Sequence, residues 1–252
     1  MTDPRVCLVT GAGKGIGRSV ARALSDKGHR VALASRNAEE LRRVASWLPG
    51  PTLVVPTDVT DPAQVEAMFA AVEDAWGPVE VLVANAGASA AASVVDTTDE
   101  TWHRMLDLNL TAPFRCMRRA LPSMIEREFG RVVVVASMAA KHGDKMVSAY
   151  TASKHGVLGL VRSASREVAS KGVTVNAVCP GYVSTPMTDD SIEKISARTG
   201  KSLEEARELL ARRQPNHRFV DPGEVAQTVL MCVDNGAING QGINIDGGAV
   251  QS

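Results

Sequence analysis

The chain has 252 residues, 44% of them apolar and 22% charged, the proportions of an ordinary globular protein. Lysine plus arginine equals aspartate plus glutamate at 28 each, so net charge supplies no case for nucleic acid or an anionic membrane as partner. The length suits a single unit over residues 1–252 and requires no metal or disulfide staple, because a domain of this size buries roughly three quarters of its unfolded surface.

The first predicted element is a strand, Val6–Thr10, followed by a glycine-rich turn and a helix over Ile16–Lys27 closed by Gly28. A second strand, Val31–Ser35, leads to a helix over Ala38–Trp47, with Asn37 as its cap. A third strand, Leu53–Pro56, precedes a helix opened by Asp61 and Pro62 that runs to about Trp76. Next come a strand over Val79–Ala84, a long helix over Asp99–Glu128 and a strand over Val132–Ser137. A second long helix, Ala149–Lys171, ends at Gly172 and feeds a strand over Val173–Val178. Residues 184–220 break this rhythm. They are polar, helical in pattern and inserted after the carboxyl end of a strand, where an insertion covers the ligand crevice; they read as a substrate lid. A helix from Asp221-Pro222 to about Asp234 and a strand over Ile243–Asp246 complete the series.

Most of these strands are near-continuous Val, Ile, Leu and Ala, the mark of strands covered on both faces. Strand and helix alternating in this way predict an α/β fold: a doubly wound parallel sheet of seven strands, with helices on both faces and a helical lid. The four cysteines (Cys7, Cys116, Cys179 and Cys232) lie far apart with no C-x-x-C pair. They read as reduced, buried small hydrophobes in a cytoplasmic protein, and no metal site is expected. The N-terminal residues lack the pattern of a signal peptide, and no apolar run approaches the roughly 20 residues of a membrane span.

The turn after the first strand reads Gly11-Ala12-Gly13-Lys14-Gly15-Ile16-Gly17. Glycines there take turn conformations closed to other residues and let backbone N–H groups approach a pyrophosphate. The helix N-terminus adds a partial positive charge. The spacing is G-x-x-x-G-x-G on Gly11, Gly15 and Gly17 rather than G-x-G-x-x-G, and the flanking strand and helix favour a dinucleotide over an ordinary turn. The second strand ends in Ser35-Arg36-Asn37, with no carboxylate to receive a ribose 2′-hydroxyl. Arg36, with Lys14 from the turn, can pair with a 2′-phosphate instead, so the expected cofactor is NADP(H).

Tyr150 and Lys154 are four apart on a helical segment and share a face. An ammonium about 4–6 Å from a phenol lowers the phenol pKa and fits it for proton transfer. Alone, that spacing is common on amphipathic helices. Ser137 ends a strand, where its hydroxyl can hold a substrate oxygen or cap a turn. Asn109 lies inside a helical pattern, and asparagine there often marks a local backbone hydrogen bond or a bound water.

Taken together these residues resemble the short-chain dehydrogenase/reductase family over nearly the whole chain. The resemblance is carried by Thr10-Gly-x-x-x-Gly15-Ile16-Gly17, Asp58-Val59, Asn85-Ala86-Gly87, Asn109, Ser137, Tyr150-x-x-x-Lys154 and Pro180-Gly181. It implies a Rossmann-type fold and an NADP(H)-dependent oxidoreductase. Tyr150 would be the general acid/base, Lys154 its partner and a ligand of the nicotinamide ribose, Ser137 the group orienting the carbonyl, and Asn109 the holder of a relay water. Asp58 and Val59 would meet the adenine. Asn85, Ala86 and Gly87 would meet the ribose region, and Pro180, Gly181, Val183 and Thr185 the nicotinamide. One departure is Ala84, where the family usually has a second asparagine.

Within the family the chain looks most like 3-oxoacyl reductases and polyketide ketoreductases, on Ser153 to Gly156, Val175 to Gly181, Thr185 to Met187 and Ile245 to Gly248. This implies reduction of a 3-oxoacyl thioester or related ketone. The alternatives are an alcohol or 3-hydroxyacyl dehydrogenase working oxidatively, and a catalytically silent dinucleotide-binding subunit. His142, Met146 and Met187 are expected to line the substrate pocket with Ser137 and Tyr150. Arg212, Arg213, His217 and Arg218 could meet a phosphopantetheine or CoA phosphate, or form a solvated charge cluster. The mixed charge of Glu126-Arg127-Glu128 and Lys171 weakens the case for an acyl carrier protein as partner and leaves acyl-CoA or a small free ketone open. The family's usual homotetramer is expected, with Ala152, Gly156 and Gly159 either at a helix interface or against the chain's own sheet.

Overall fold

The computed structural model describes residues 3–251; residues 1, 2 and 252 of the expected 1–252 unit lie outside it. Seven strands, β1 (Val6–Thr10), β2 (Arg30–Ser35), β3 (Thr52–Pro56), β4 (Val81–Ala84), β5 (Gly130–Val135), β6 (Val173–Pro180) and β7 (Gly242–Ile245), form one sheet. Their order is β3-β2-β1-β4-β5-β6-β7, and every pairing is parallel. The expected fold class is therefore the one observed. The order reverses between β1 and β4, the switch point outside whose carboxyl ends a crevice opens.

Alternate side chains of each strand enter separate cores, which explains the unbroken apolar runs. Leu8, Ala32, Leu82, Val132 and Val175 face one core. It lies under α3 (Pro62–Trp76), α5 (Ala112–Glu126) and α6 (Ser148–Val168). Cys7, Val9, Leu33, Val83 and Val133 face the other core. It lies under α1 (Gly15–Asp26), α2 (Ala38–Ala45) and α9 (Pro222–Asp234). All four cysteines are free and buried.

Caps fix the helix starts as expected. Asn37 accepts from Glu39 and Glu40 N–H, and Asp61 from Ala63 and Gln64 N–H. The long helix expected over Asp99–Glu128 is interrupted. It comprises α4 (Asp99–Leu106), a π-type segment (Asp107–Thr111) and α5. Pro113 has no N–H to return to the carbonyl four residues back, and its ring crowds that carbonyl, which belongs to Asn109. The ladder widens, and the Ala112 N–H reaches the Asp107 carbonyl five residues back. The insertion is two helices, α7 (Pro186–Thr199) and α8 (Leu203–Ala211). Gly200 in the left-handed region and a Ser202–Glu205 capping box divide them. Ile192, Ala206 and Leu210 give this segment a small core shared with Tyr182 and Phe219.

Candidate active site

A cavity of about 770 Å³ opens over the switch point. At one end lies the turn between β1 and α1. Gly11 and Gly15 have φ of 66° and 54°, conformations that side chains rarely adopt. A Cβ on Gly11 would also come within 2.7 Å of Asn85 Nδ2, and one on Gly15 within 3.1 Å of the Thr185 side chain. Gly17 has a different duty. It does not line the cavity; a Cβ there would sit 2.2 Å from the Gly11 carbonyl oxygen, so its bareness lets the helix pack on the turn.

The turn is braced from β4. Asn85 Nδ2 donates to the Thr10 and Gly11 carbonyls at 2.9 and 3.1 Å. Thr10 Oγ1 accepts from the Asn85 and Ala86 N–H groups at 3.0 and 3.1 Å. The Asn85 amide is thus a strut for the turn.

Lys14, Ser35 and Arg36 all line the cavity. Ser35 Oγ is buried with no hydrogen-bond partner among the described residues, and both cations are exposed. These side chains fit a phosphorylated ribose, and the bare turn fits a pyrophosphate. The sequence reading missed Glu40. From the first turn of α2 its carboxylate reaches within 2.9 Å of where a Gly13 Cβ would stand. Along the same wall Asp58 accepts from the Thr60 hydroxyl and N–H at 2.7 and 3.0 Å. These bonds hold its carboxyl below the usual range. Val59, Ala86 and Gly87 also line the cavity, as do Ile16, Pro180, Gly181, Val183 and Thr185.

At the other end α6 delivers Tyr150 in its first turn and Lys154 one turn later. The Tyr150 phenol lies near the Ser137 hydroxyl, whose Oγ accepts from the Ala139 N–H at 3.1 Å. Lys154 is 5% exposed. Its Nζ donates to the Val135 carbonyl at 2.9 Å and lies 5.7 Å from the Tyr150 ring centre. The expected lowering of the phenol pKa by Lys154 is not the balance struck here. Burial pushes Tyr150 up, and the nearby Ser137 hydroxyl offsets this in part. Burial also disfavours the ammonium and lowers Lys154 to about 8.

Asn109 is 1% exposed in the π-type segment. Its side chain bonds Ala88 N–H and C=O at 3.1 and 3.0 Å and Ser153 Oγ at 3.2 Å. Its amide therefore ties the loop after β4 to α6. Gly87 completes the cluster, since a Cβ there would stand 2.9 Å from Asn109 Oδ1 and 3.7 Å from Lys154 Nζ.

Of the residues expected on the substrate side, Met187 lines the cavity, as do Ser137 and Tyr150. His142 and Met146 do not. His142 Nδ1 turns back to the Gly143 carbonyl at 3.0 Å. The Met146 carbonyl is pinned by the Ala92 N–H at 2.8 Å; its backbone is left-handed and its side chain 41% exposed. Arg104 and Leu108, one helical turn apart, also line the cavity and were not anticipated. The basic lid cluster is compensated: Arg212 faces Glu208, Arg213 faces Asp144 and Arg218 faces Glu224. Three of its cations are therefore committed to carboxylates rather than to a ligand phosphate.

Residues 5–196 match the family described as short chain dehydrogenase. The chain belongs to the short-chain dehydrogenase family. Among its relatives is a 3-oxoacyl-acyl-carrier-protein reductase of Mycobacterium tuberculosis, 39% identical over 97% of this chain and 92% of that one. Another is the D-beta-hydroxybutyrate dehydrogenase of Rhizobium meliloti, 34% identical over 97% of this chain and 98% of that one. A solved structure of an actinorhodin polyketide ketoreductase variant with NADPH superposes with a TM-score of 0.93. It is 39% identical, over 98% of this chain and 97% of that one. As a short-chain dehydrogenase the chain is an oxidoreductase. Among the described residues no helix is long and apolar enough to cross a membrane, and no cluster of side chains could hold a metal ion.

Proposed function

We propose that this short-chain dehydrogenase is an NADPH-dependent carbonyl reductase that converts a 3-oxoacyl thioester or related ketone to the secondary alcohol. One observation carries the reading: Ser137, Tyr150 and Lys154, the last two one helical turn apart, line the same cavity as a bare glycine turn. The named relatives agree in acting on a carbonyl or its alcohol.

The chemistry required of a bound reduced nicotinamide is one hydride delivered to the carbonyl carbon. Ser137 holds the carbonyl oxygen through its hydroxyl, and Tyr150 gives its phenolic proton to the same oxygen. Burial keeps that phenol protonated at neutral pH, which suits a proton donor. Lys154 holds the nicotinamide ribose and steadies the phenolate left behind. Asn109 acts by fixing the loop that carries Gly87. Lys14, Ser35 and Arg36 select the phosphorylated ribose, with Asp58 and Val59 at the adenine. Residues 184–220 close over the substrate, with Met187 on the pocket wall.

Assembly and location belong to the same proposal. Trp102 and Phe114, 38% and 41% exposed, offer apolar contact for a homotetramer through the long helices, testable by light scattering. Gly159 has open space beside it, whereas Gly156 packs on Leu110 of its own chain. A cytoplasmic location accords with four free thiols.

The decisive assay is NADPH oxidation against acetoacetyl-CoA, a 3-oxoacyl carrier thioester, cyclic diketones and simple aryl ketones. Turnover of a 3-oxoacyl thioester or one of the ketones supports the reading. NADPH binding without turnover of any of them would replace it with a silent binding subunit.

A further inference from the structure

The loop between β5 and α6 runs from Ser137 at one end to Tyr150 at the other, and both side chains line the cavity. Asp144 lies in its middle. From beyond the end of α8, Arg213 donates through Nη1 to Asp144 Oδ2 at 2.7 Å and to the Tyr182 hydroxyl at 3.3 Å. The next residue, Gln214, is fully buried. Its Oε1 accepts from the Tyr182 N–H at 3.0 Å, and its Nε2 donates to the Tyr182 carbonyl at 3.4 Å. Nε2 also donates to the Arg218 carbonyl. The end of the lid thus grips Tyr182 by backbone and by hydroxyl.

Tyr182 follows Gly181, which lines the cavity, and packs into the lid's small core with Ile192 and Leu210. A Cβ on Gly181 would come within 2.0 Å of Gln214 Oε1, so that position must be bare for the lid end to seat. Three separate segments therefore meet at Arg213: the loop carrying Asp144, the stretch after β6 carrying Tyr182, and the lid end itself.

We propose that Arg213 and Asp144 form a latch across Tyr182 that holds the lid over the substrate end of the cleft. Neither is a catalytic residue; both are positioning residues, and the role rests on the reductase reading above. The pair is partly exposed, 52% for Arg213 and 30% for Asp144, so it supplies a modest bias that can open between turnovers.

The test compares full-length Asp144→Asn, Arg213→Leu and the charge swap Asp144→Arg with Arg213→Asp. Asp144→Asn, nearly isosteric and on a loop, keeps the test alive if Arg213→Leu folds poorly. Each single variant is expected to raise KM for the preferred ketone about three- to tenfold, with kcat within about twofold. NADPH affinity, read by fluorescence titration, stays unchanged. Amide hydrogen exchange across 186–211 quickens in the single variants, and the swap restores both KM and exchange. Singles indistinguishable from the parent, or a swap that restores neither, overturn the latch. Should the parent reduce no ketone, the reductase reading fails, while the exchange data still decide whether Arg213 and Asp144 hold the lid.

Discussion

Lys154 carries a cost that its replacement should reveal. The ammonium is 5% exposed, and burial lowers it from an ordinary value of 10.5 to about 8. That gap corresponds to about 3 kcal/mol of instability when the group is charged. Removing it also deprives the Val135 carbonyl of a donor at 2.9 Å, a loss of about 1 kcal/mol. Lys154→Met keeps the length of the stem and should stabilise the dinucleotide-free protein at pH 7 by about 2 kcal/mol, or about 4–8 °C in Tm, while abolishing turnover. The pH dependence fixes the sign. Below about 8 the folded and unfolded chains both hold the proton, and the penalty is complete. Between about 8 and 10.5 the unfolded chain holds more protons, so the parent gains stability as pH rises and the advantage of the variant shrinks. Calorimetry at pH 7 and near pH 10 checks both statements. A variant less stable than the parent at pH 7, or an advantage that does not shrink with pH, refutes the reasoning.

Arg36→Asp should lower the kcat/KM preference for NADPH over NADH by roughly ten- to a hundredfold, the worth of one charge-assisted contact to phosphate; an unchanged ratio removes Arg36 from that role. Glu40→Gln should move the same ratio in the opposite direction, because Glu40 lines the same cavity. Gly87→Ala places a methyl 2.9 Å from Asn109 Oδ1 and should cut kcat roughly ten- to a hundredfold through displacement of that cluster, with a crystal structure reading the shift directly. Reductive kcat/KM should fall as pH rises through about 8, where Lys154 loses its proton, while the phenol, held up by burial, keeps its own; a profile flat to pH 10 contradicts the need for the ammonium.

The alternation of strands and helices was readable because local signals agreed with one another. Asn37, Asp61 and Asp221 each cap a helix where a capping side chain was expected, and the strand runs were apolar on both faces because both faces are covered. The cleft wall was readable for a similar reason. Its glycines and strand-end residues are set by positions next to one another in the chain. The widening at Asn109 and the division of residues 184–220 were not anticipated, although Pro113, Gly200 and Ser202 are the local residues that mark them. What lay beyond reach depends on distant partners. Nothing local announces that Glu40 folds over Gly13, that Asp144 meets Arg213 69 residues later, or that His142 turns back onto its own loop. Nor does a four-residue spacing reveal burial, which reverses the expected direction for the Tyr150 phenol.

The central claim is that the Tyr150 phenol gives a proton to the carbonyl oxygen while the rest of the site holds cofactor and substrate. Tyr150→Phe removes one oxygen and leaves the ring. The measurement is single-turnover NADPH oxidation with the preferred ketone, set beside NADPH affinity for the same protein. The account predicts affinity within about twofold of the parent and a rate lower by about two to four orders of magnitude. A near-normal rate with intact binding would contradict it.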